Sequence, residues 1–511
     1  MSIPQQQPAL TSWGRGFTRS VSTTVSMVVV LLCLLNAAAF AVERPNIIFL
    51  FADDQCKYSM GCYDTPGAQT PNLDQLSAEG MTFDRHYDTT AICMASRVNV
   101  MTGLLEYRAG CNFESGDLVR DRWERSYPIL LRKAGYQTAF AGKFGFLVCD
   151  EPETKGELPK SDFDVWRGGP GQTSYDTAKN DSMKEYAERY PHSTLSYGAF
   201  GSDFVKGATE EDSPFCLSIS FKAPHHPVQP DSSFNDVFQG TVFTKPANFG
   251  REHGQQMSVQ SRQGRQYERF YSWSYAGEYQ KTMALYYQQI YAIDVAVGMI
   301  RGTLRECGVA GNTVIIYSSD NGFLCGSHGY GSKVLPYEES ACVPLIIYDP
   351  RKPLSAGQRC DSLTGNVDIY STILSLAGVQ EEVEVDGFDL MPLLDDPTRD
   401  VHPYLPLINT WGPKQVHSFG VVTERGKLIY WPFQDEFMKP TWEAYNMRDD
   451  RLEQNNLIQE NERPELLTSL EEAYSSALEH WKSKAVPYHG YQRFGSIFDA
   501  DVDWADKEGL Y

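Results

Sequence analysis

Asn46 to Asp54 reads NIIFLFADD, and the fold follows from how this stretch is read. After Asn46 the run to Ala52 has no polar alternation, so neither face is made for water. A short continuous apolar run of this kind predicts a strand buried on both sides, as inside a parallel sheet covered by helices. Two aspartates follow at once. Thr313 to Ser318 (TVIIYS) repeats the pattern, and Asp320-Asn321 follow it. Gln137–Ala141, Phe215–Phe221 and Val343–Tyr348 read as further strands. Between them lie helical patterns. One opens at Thr70-Pro71, runs through Asn72–Glu79 and stops at Gly80. Others cover Tyr127–Ala134, Tyr279–Cys307 and Val367–Leu376. Strands alternating with helices predict an α/β fold, a mostly parallel mixed sheet sandwiched by helices.

Beyond about residue 395 the pattern changes. Val416–Val422 and Lys427–Trp431 read as antiparallel strands around the Arg425-Gly426 turn, and Pro464–Lys482 as an amphipathic helix. The expected organisation is a leader at 1–41, a large α/β domain at 42–395, and a smaller C-terminal α+β subdomain at 396–511 with a short antiparallel sheet. Residues 245–281, rich in Gln, Arg and Tyr without clear periodicity, read as a long loop.

The leader has the parts of a signal peptide. Arg15 and Arg19 precede an apolar core, Val25–Leu35, and Ala39-Phe40-Ala41 fits a small-x-small cleavage site. An exported chain, periplasmic or secreted, is expected, with no transmembrane domain after cleavage. Over 511 residues the net charge is −21, which argues against nucleic acid as a partner. An anionic substrate must then be held by local cations against the field of the whole chain. Of eleven cysteines, ten lie beyond the leader, without zinc-like spacing. Neither disulfide connectivity nor oligomeric state is readable from this.

The chemistry concentrates in a few places. Asp53-Asp54 and Asp320-Asn321 end matching strands, and sites in open α/β sheets form at the carboxyl ends of strands. Three carboxylates and an amide oxygen suit Ca²⁺, with Mg²⁺ as the alternative. Isolated cations stand in short turns: Lys143 in AGKFG, His225 in KAPHHP and Lys333 in GSK. Cations around a divalent metal suit a substrate with several anionic oxygens. Cys93 begins CMASR at the start of a helix, four residues before Arg97. A cation and a helix N-terminus both favour negative charge there.

With these residues in view, the chain resembles the sulfatase family of the alkaline-phosphatase-like superfamily. The matching segments include RPNIIFLFADDQ (44–55), TPNLDQLSAEGMTF (70–83), CMASRVNVMTG (93–103) and LLRKAGYQTAFAGKFG (130–145). FKAPHHPVQP (221–230), SSDNGFLCGSHG (318–329), YEESACVPLIIY (337–348) and NVDIYSTILSLAGV (366–379) continue the series, and DGFDLMPLL (386–394) and YNMRDDRLEQNNL (445–457) complete it. The resemblance implies that a separate formylglycine-generating enzyme oxidises Cys93 to formylglycine. It implies that the hydrated aldehyde, a geminal diol, attacks the sulfur of a sulfate ester, on a carbohydrate or another small molecule. Asp53, Asp54, Asp320 and Asn321 resemble the metal ligands, with modified Cys93 completing the set. Lys143 and Lys333 resemble the sulfate-binding lysines. His225 resembles the residue that binds sulfate or protonates the leaving oxygen, and Arg97 the one that holds formylglycine and the carboxylates. His226 is expected to be structural, and His328 has no role assigned.

Two positions depart from the pattern. Residue 95 is Ala where Pro is commonest. The lysine element, usually G-K-x-H, ends in Gly145, so its histidine is missing, and His86 is a candidate substitute. A phosphate or phosphonate monoester hydrolase of the same superfamily, and a non-catalytic sulfated-glycan-binding protein, are the competing readings.

Overall fold

The computed structural model describes residues 44–380, 384–459 and 465–511, with Met1, Ser2, Pro4 and Ala9. The expected signal peptide lies outside the described residues. Among the described residues, no helix is long and apolar enough to cross a membrane.

Eight strands form the main sheet: β1 Asn46–Ala52, β2 Met81–Phe83, β3 Gln137–Lys143, β4 Val165–Gly169, β5 Phe215–Ser220, β6 Thr313–Ser319, β7 Leu345–Tyr348 and β8 Gln358–Cys360. Their order is β8-β2-β7-β6-β1-β5-β3-β4. β6, β1, β5, β3 and β4 pair in parallel. β7 runs antiparallel to both of its neighbours, which makes the sheet mixed.

The alternation of β1 explains its composition. Ile47, Phe49 and Phe51 enter one core with helices α2 (Cys93–Thr102), α3 (Tyr127–Lys133) and α7 (Asp368–Ala377). Ile48, Leu50 and Ala52 enter the other, under α1 (Pro71–Glu79), α4 (Ser193–Ala208) and α6 (Tyr275–Glu306). Every residue of β1 is therefore buried, and no polar alternation survives.

A separate antiparallel sheet near the C-terminus comprises β9 Leu405–Asn409, β10 Ser418–Val422, β11 Gly426–Trp431 and β12 Thr441–Asn446, in sequential order. It too is covered on both faces. Leu428 and Tyr430 pack with helix α8 (Glu465–Lys484), while Ile429 and Trp431 pack with Leu324, Tyr330, Leu335 and Tyr337. The small sheet thus backs the loop that carries Lys333.

The reading of 245–281 as a loop is corrected. This stretch holds 3₁₀ turns at Arg251–Gly254 and Gln260–Gln263, helix α5 (Arg265–Ser272), and the first turns of α6. The periodicity was hidden because Gln266, Phe270, Tyr275 and Tyr279, rather than aliphatic residues, make up the inner face. The ten described cysteines beyond the leader are all free thiols.

Candidate active site

Parallel pairing of β1 with β6 in the register Ala52–Ser319 makes the residues after each strand emerge side by side. The Asp320 N–H donates to the Ala52 carbonyl at 3.1 Å, and the Asp54 N–H donates to Asp320 Oδ1 at 3.2 Å. Asn321 Nδ2 donates to Asp54 Oδ1 at 2.8 Å. The two oxygen-ligand pairs expected from sequence therefore converge, and all four residues are buried.

Neighbouring strands deliver the cations. Lys143, the last residue of β3, donates from Nζ to Asp53 Oδ2 at 2.6 Å. The chain leaving β5 carries His225, whose Nδ1 donates to the His226 carbonyl at 2.5 Å, leaving Nε2 3.9 Å from Asp54 Oδ2. Lys333 donates to Asp54 Oδ1 and lies 3.7 Å from Asp53 Oδ1. Its flanking residues Ser332 and Val334 have φ of 73° and 90°, and Asp54 has φ of 70°. Positive φ is costly for a β-branched valine, so packing against the small sheet must hold this loop in place.

Cys93 opens α2, with every residue of the helix buried. Its sulfur and one oxygen each of Asp53 and Asp320 lie within 4.8 Å of one another. One turn on, Arg97 Nε and Nη2 donate to Asp320 Oδ2 at 3.0 and 2.7 Å. Its Nη1 donates to the Lys143 carbonyl at 3.0 Å and to Ser220 Oγ. Behind the helix, Ser96 Oγ donates to Asp88 Oδ1 at 2.7 Å and Asn366 Nδ2 donates to Ser96 Oγ at 3.2 Å, anchoring the turn that presents Cys93.

Burial opposes ionisation of Asp53, but Lys143, with His225, Lys333 and Arg97, holds its carboxyl well below the usual range. Burial and the charge of Asp53 push Asp320 up to about 6. Burial lowers His225 to about 4 against the pull of Asp54 and Asp53, so its ring is neutral at neutral pH. Burial disfavours the charge on Lys333, yet Asp54 and the other anions raise its pKa overall.

Two buried oxygens in this cluster, Asp53 Oδ1 and Asn321 Oδ1, have no hydrogen-bond partner. Orphaned buried oxygens among carboxylates are what a hard cation would satisfy. The donor set fits Ca²⁺ or Mg²⁺.

The expectation for His86 is corrected. Its Nδ1 pairs with Thr364 Oγ1 at 3.1 Å, and its titratable neighbours are Asp368 and His402. None of these belongs to the cluster, so His86 is a packed core residue. Gly145 has φ of 91°, and a Cβ there would fall 2.3 Å from Arg97 Cδ. The stem of Arg97 runs past this position, so the glycine leaves room for it.

Above the cluster lies a cavity of about 540 Å³ lined by Asp54, Cys93, His225 and Lys333 together with Arg265, Arg269, Trp273 and Trp411. His226, expected to be structural, also lines it and stacks on Trp273 at 4.0 Å. His328 is fully buried between Asn248 and the His253 carbonyl. Sequence reasoning missed Lys222 and Trp411. Lys222 is buried, donates to the Gln172 carbonyl at 2.9 Å, and adds its charge to those near Asp53 and Cys93. Its signal was present as a lysine three residues before His225 at a strand end. Trp411 carried no local signal, because it reaches the cavity from the C-terminal part of the chain.

The sulfatase family profile matches residues 45–379, and the C-terminal profile of N-sulphoglucosamine sulphohydrolase matches residues 326–480. The chain is 29% identical to the N-acetylglucosamine-6-O-sulfatase of Bacteroides thetaiotaomicron, with 84% of this chain and 86% of the relative covered. It is 25% identical to an arylsulfatase of Clostridium perfringens, covering 85% and 95%. The solved structure of BT4656 with its substrate D-glucosamine-2-N,6-O-disulfate superposes with a TM-score of 0.69 at 25% identity, covering 86% of this chain and 99% of that one. The phosphonate monoester hydrolase of Agrobacterium radiobacter shares the fold, with a TM-score of 0.70 at 19% identity over 87% and 96%. On the family profile, which spans well over half of its length, the chain belongs to the sulfatase family of sulfuric ester hydrolases.

Proposed function

We propose that this chain hydrolyses a sulfate ester on a sulfated carbohydrate, using Cys93 converted to formylglycine and one divalent metal ion, Ca²⁺ in the first instance. The observation that supports it most is the gathering of Cys93, Asp53 and Asp320 within 4.8 Å, with Arg97 forked onto Asp320. Asp53, Asp54, Asp320 and Asn321 would hold the metal, with the modified Cys93 side chain. When present, the metal supplies charge to polarise the ester, and the hydrated aldehyde supplies the attacking oxygen.

The chain's own residues do the rest. Arg97 fixes Asp320 and the strand ends through its planar fork. Lys143 and Lys333 bring fixed positive charge to the sulfate oxygens, where charge develops. His225 would turn Nε2 toward the leaving oxygen and, once protonated there, return a proton to it. The charge count agrees with this assignment. Asp53, Asp54 and Asp320 are matched by Arg97, Lys143 and Lys333, so a divalent ion, with Lys222 nearby, would leave the pocket net positive and suited to holding a sulfate dianion.

A formylglycine-generating enzyme is the maturation partner this reading requires, and export by the N-terminal leader the route. The division into 42–395 and 396–511 belongs to the same proposal. Trp411 at the cavity supports a part for the C-terminal segment in contacting substrate. The test is peptide mass spectrometry across Cys93 in a host with the modifying enzyme, coupled to rates on 4-nitrophenyl sulfate, a phosphonate monoester and sulfated hexosamines. Preference for the phosphonate ester would move the activity to the neighbouring class. A fully modified, metal-loaded chain inert on all of them would leave a binding function.

A further inference from the structure

Helix α5 sets Arg265 and Arg269 four residues apart, on one helical face, and both line the cavity above Cys93. Each guanidinium lies against an indole. Arg265 Cζ is 4.2 Å from the Trp411 ring centroid, and Arg269 Cζ is 4.1 Å from that of Trp273. Stacking uses the faces of the guanidinium and leaves its edge N–H groups for a ligand. Arg269 commits one of them, Nη1, to Ser332 Oγ at 2.7 Å, next to Lys333. Neither arginine is among the ion pairs of the described residues.

The chain, with a net charge of −21, offers carboxylates to many of its other arginines. Arg97, Arg108, Arg301, Arg351 and Arg359 all have such partners. Glu114, whose charge acts on Arg265, lines the cavity and accepts from the Gly412 N–H at 3.3 Å, while Asp54 and Glu268 act on Arg269 without forming an ion pair with it. Like charges at i and i+4 repel. Here burial and Arg265 together bring Arg269 down to about 10, a strain that a bound anion would relieve.

We propose that Arg265 and Arg269 form a second anion subsite, and that the substrate carries an anionic group, sulfate or carboxylate, in addition to the ester sulfate that is cleaved. This deepens the sulfate-ester reading above and rests on it for the position of the scissile group. The sugar would span from the Cys93 cluster to the two arginines. Trp273 and Trp411 would hold the guanidinium planes, and around the half-buried Arg269 partial exclusion of water would strengthen a charge-assisted hydrogen bond.

The test compares glucosamine 6-sulfate with glucosamine 2-N,6-O-disulfate, and with a 6-sulfated glucosamine joined to a uronic acid. For the modified, metal-loaded enzyme, kcat/KM should favour at least one doubly anionic substrate by about tenfold or more, chiefly through KM. A preference for the disulfate identifies the second anion as sulfate, and one for the uronate as carboxylate. Arg265→Gln and Arg269→Gln should each collapse that ratio toward one, and Arg269→Lys should recover part of it. The ratio is the readout because a merely structural loss would lower all substrates together. Calorimetric binding of the same ligands to Cys93→Ala protein with Ca²⁺ measures the subsite without turnover. A binding preference without hydrolysis in the wild type would keep the subsite and sink the proposed function. Equal binding and equal kcat/KM for all three ligands would overturn the subsite. A ratio unaltered by both glutamine variants would overturn it as well.

Discussion

Gly145→Ala tests whether Arg97 is fixed in the way its contacts imply. The new Cβ would stand 2.3 Å from Arg97 Cδ, in a backbone conformation with φ of 91°. The left-handed backbone alone costs about 1–2 kcal/mol for a residue with a side chain. Reaching ordinary contact means moving the arginine stem by about 1 Å or more. The guanidinium cannot follow freely, since it donates to Asp320 at 2.7 and 3.0 Å and to the Lys143 carbonyl at 3.0 Å. Losing one charged hydrogen bond adds about 1.5–3 kcal/mol, so a total loss of about 3–5 kcal/mol is expected. Because Arg97 supports Asp320 from behind, metal affinity should also fall by about 10–100-fold. Urea unfolding gives the first quantity, and calcium titration of 4-nitrophenyl sulfatase activity the second. Gly145→His, which restores the histidine of the commonest pattern, should be at least as damaging. A Gly145→Ala protein with unchanged midpoint and full activity would refute the reasoning, as would faster turnover by Gly145→His.

Cys93→Ala should abolish sulfate ester cleavage yet leave the thermal unfolding curve nearly unchanged, because the buried side chain is replaced by a slightly smaller apolar one. Lys333→Ala should lower kcat on aryl sulfate by about 10²–10³, by analogy with loss of one oxyanion donor, and an unchanged rate would place that lysine outside the chemistry. Chelation should remove activity and lower the unfolding temperature, with Ca²⁺ at a hundred times its dissociation constant restoring about 2.7 kcal/mol. Stability should decline as pH falls from about 6.5 to about 4, because burial holds His86 near 4 in the folded chain while the unfolded chain takes up the proton near 6.5. The neutral folded form is fully favoured above 6.5, and about 3 kcal/mol is lost across that window, so His86→Gln should flatten the slope seen in urea midpoints.

The parts of the fold that show in the sequence are those whose burial is complete. β1 has the same bounds in both readings because both its faces meet helices and every residue is apolar after Asn46. β4 (Val165–Gly169) and β8 (Gln358–Cys360) escaped notice, since an edge strand with partly exposed residues has no such run. Helix α4 was missed because its glycines, Gly198 and Gly201, sit against Ala296 and Ile300 of α6 and weaken the apolar pattern while permitting close packing. At the site, Asp53, Asp54, Asp320 and Asn321 were legible because strand ends announce themselves. The replacement of a histidine by Gly145 was legible as a gap. Its cause was not, because the stem of Arg97 arrives from a segment nearly fifty residues earlier in the chain.

The position of β1 has a consequence for how the chain reaches its folded form. It is synthesised before both of its partners, since Ile47 pairs with Cys216 on one side and with Val314 on the other. A nascent chain shorter than about residue 319 therefore carries NIIFLFA with at least one open, strongly apolar edge. Closing loops of this length is slow, and the wait exposes the strand to pairing with other chains. The metal ligands are divided in the same way, with Asp53 and Asp54 made early and Asp320 and Asn321 late. A fragment ending before β6 should aggregate rather than bind calcium, and the acquisition of a calcium site in refolding should coincide with the final closure of the sheet.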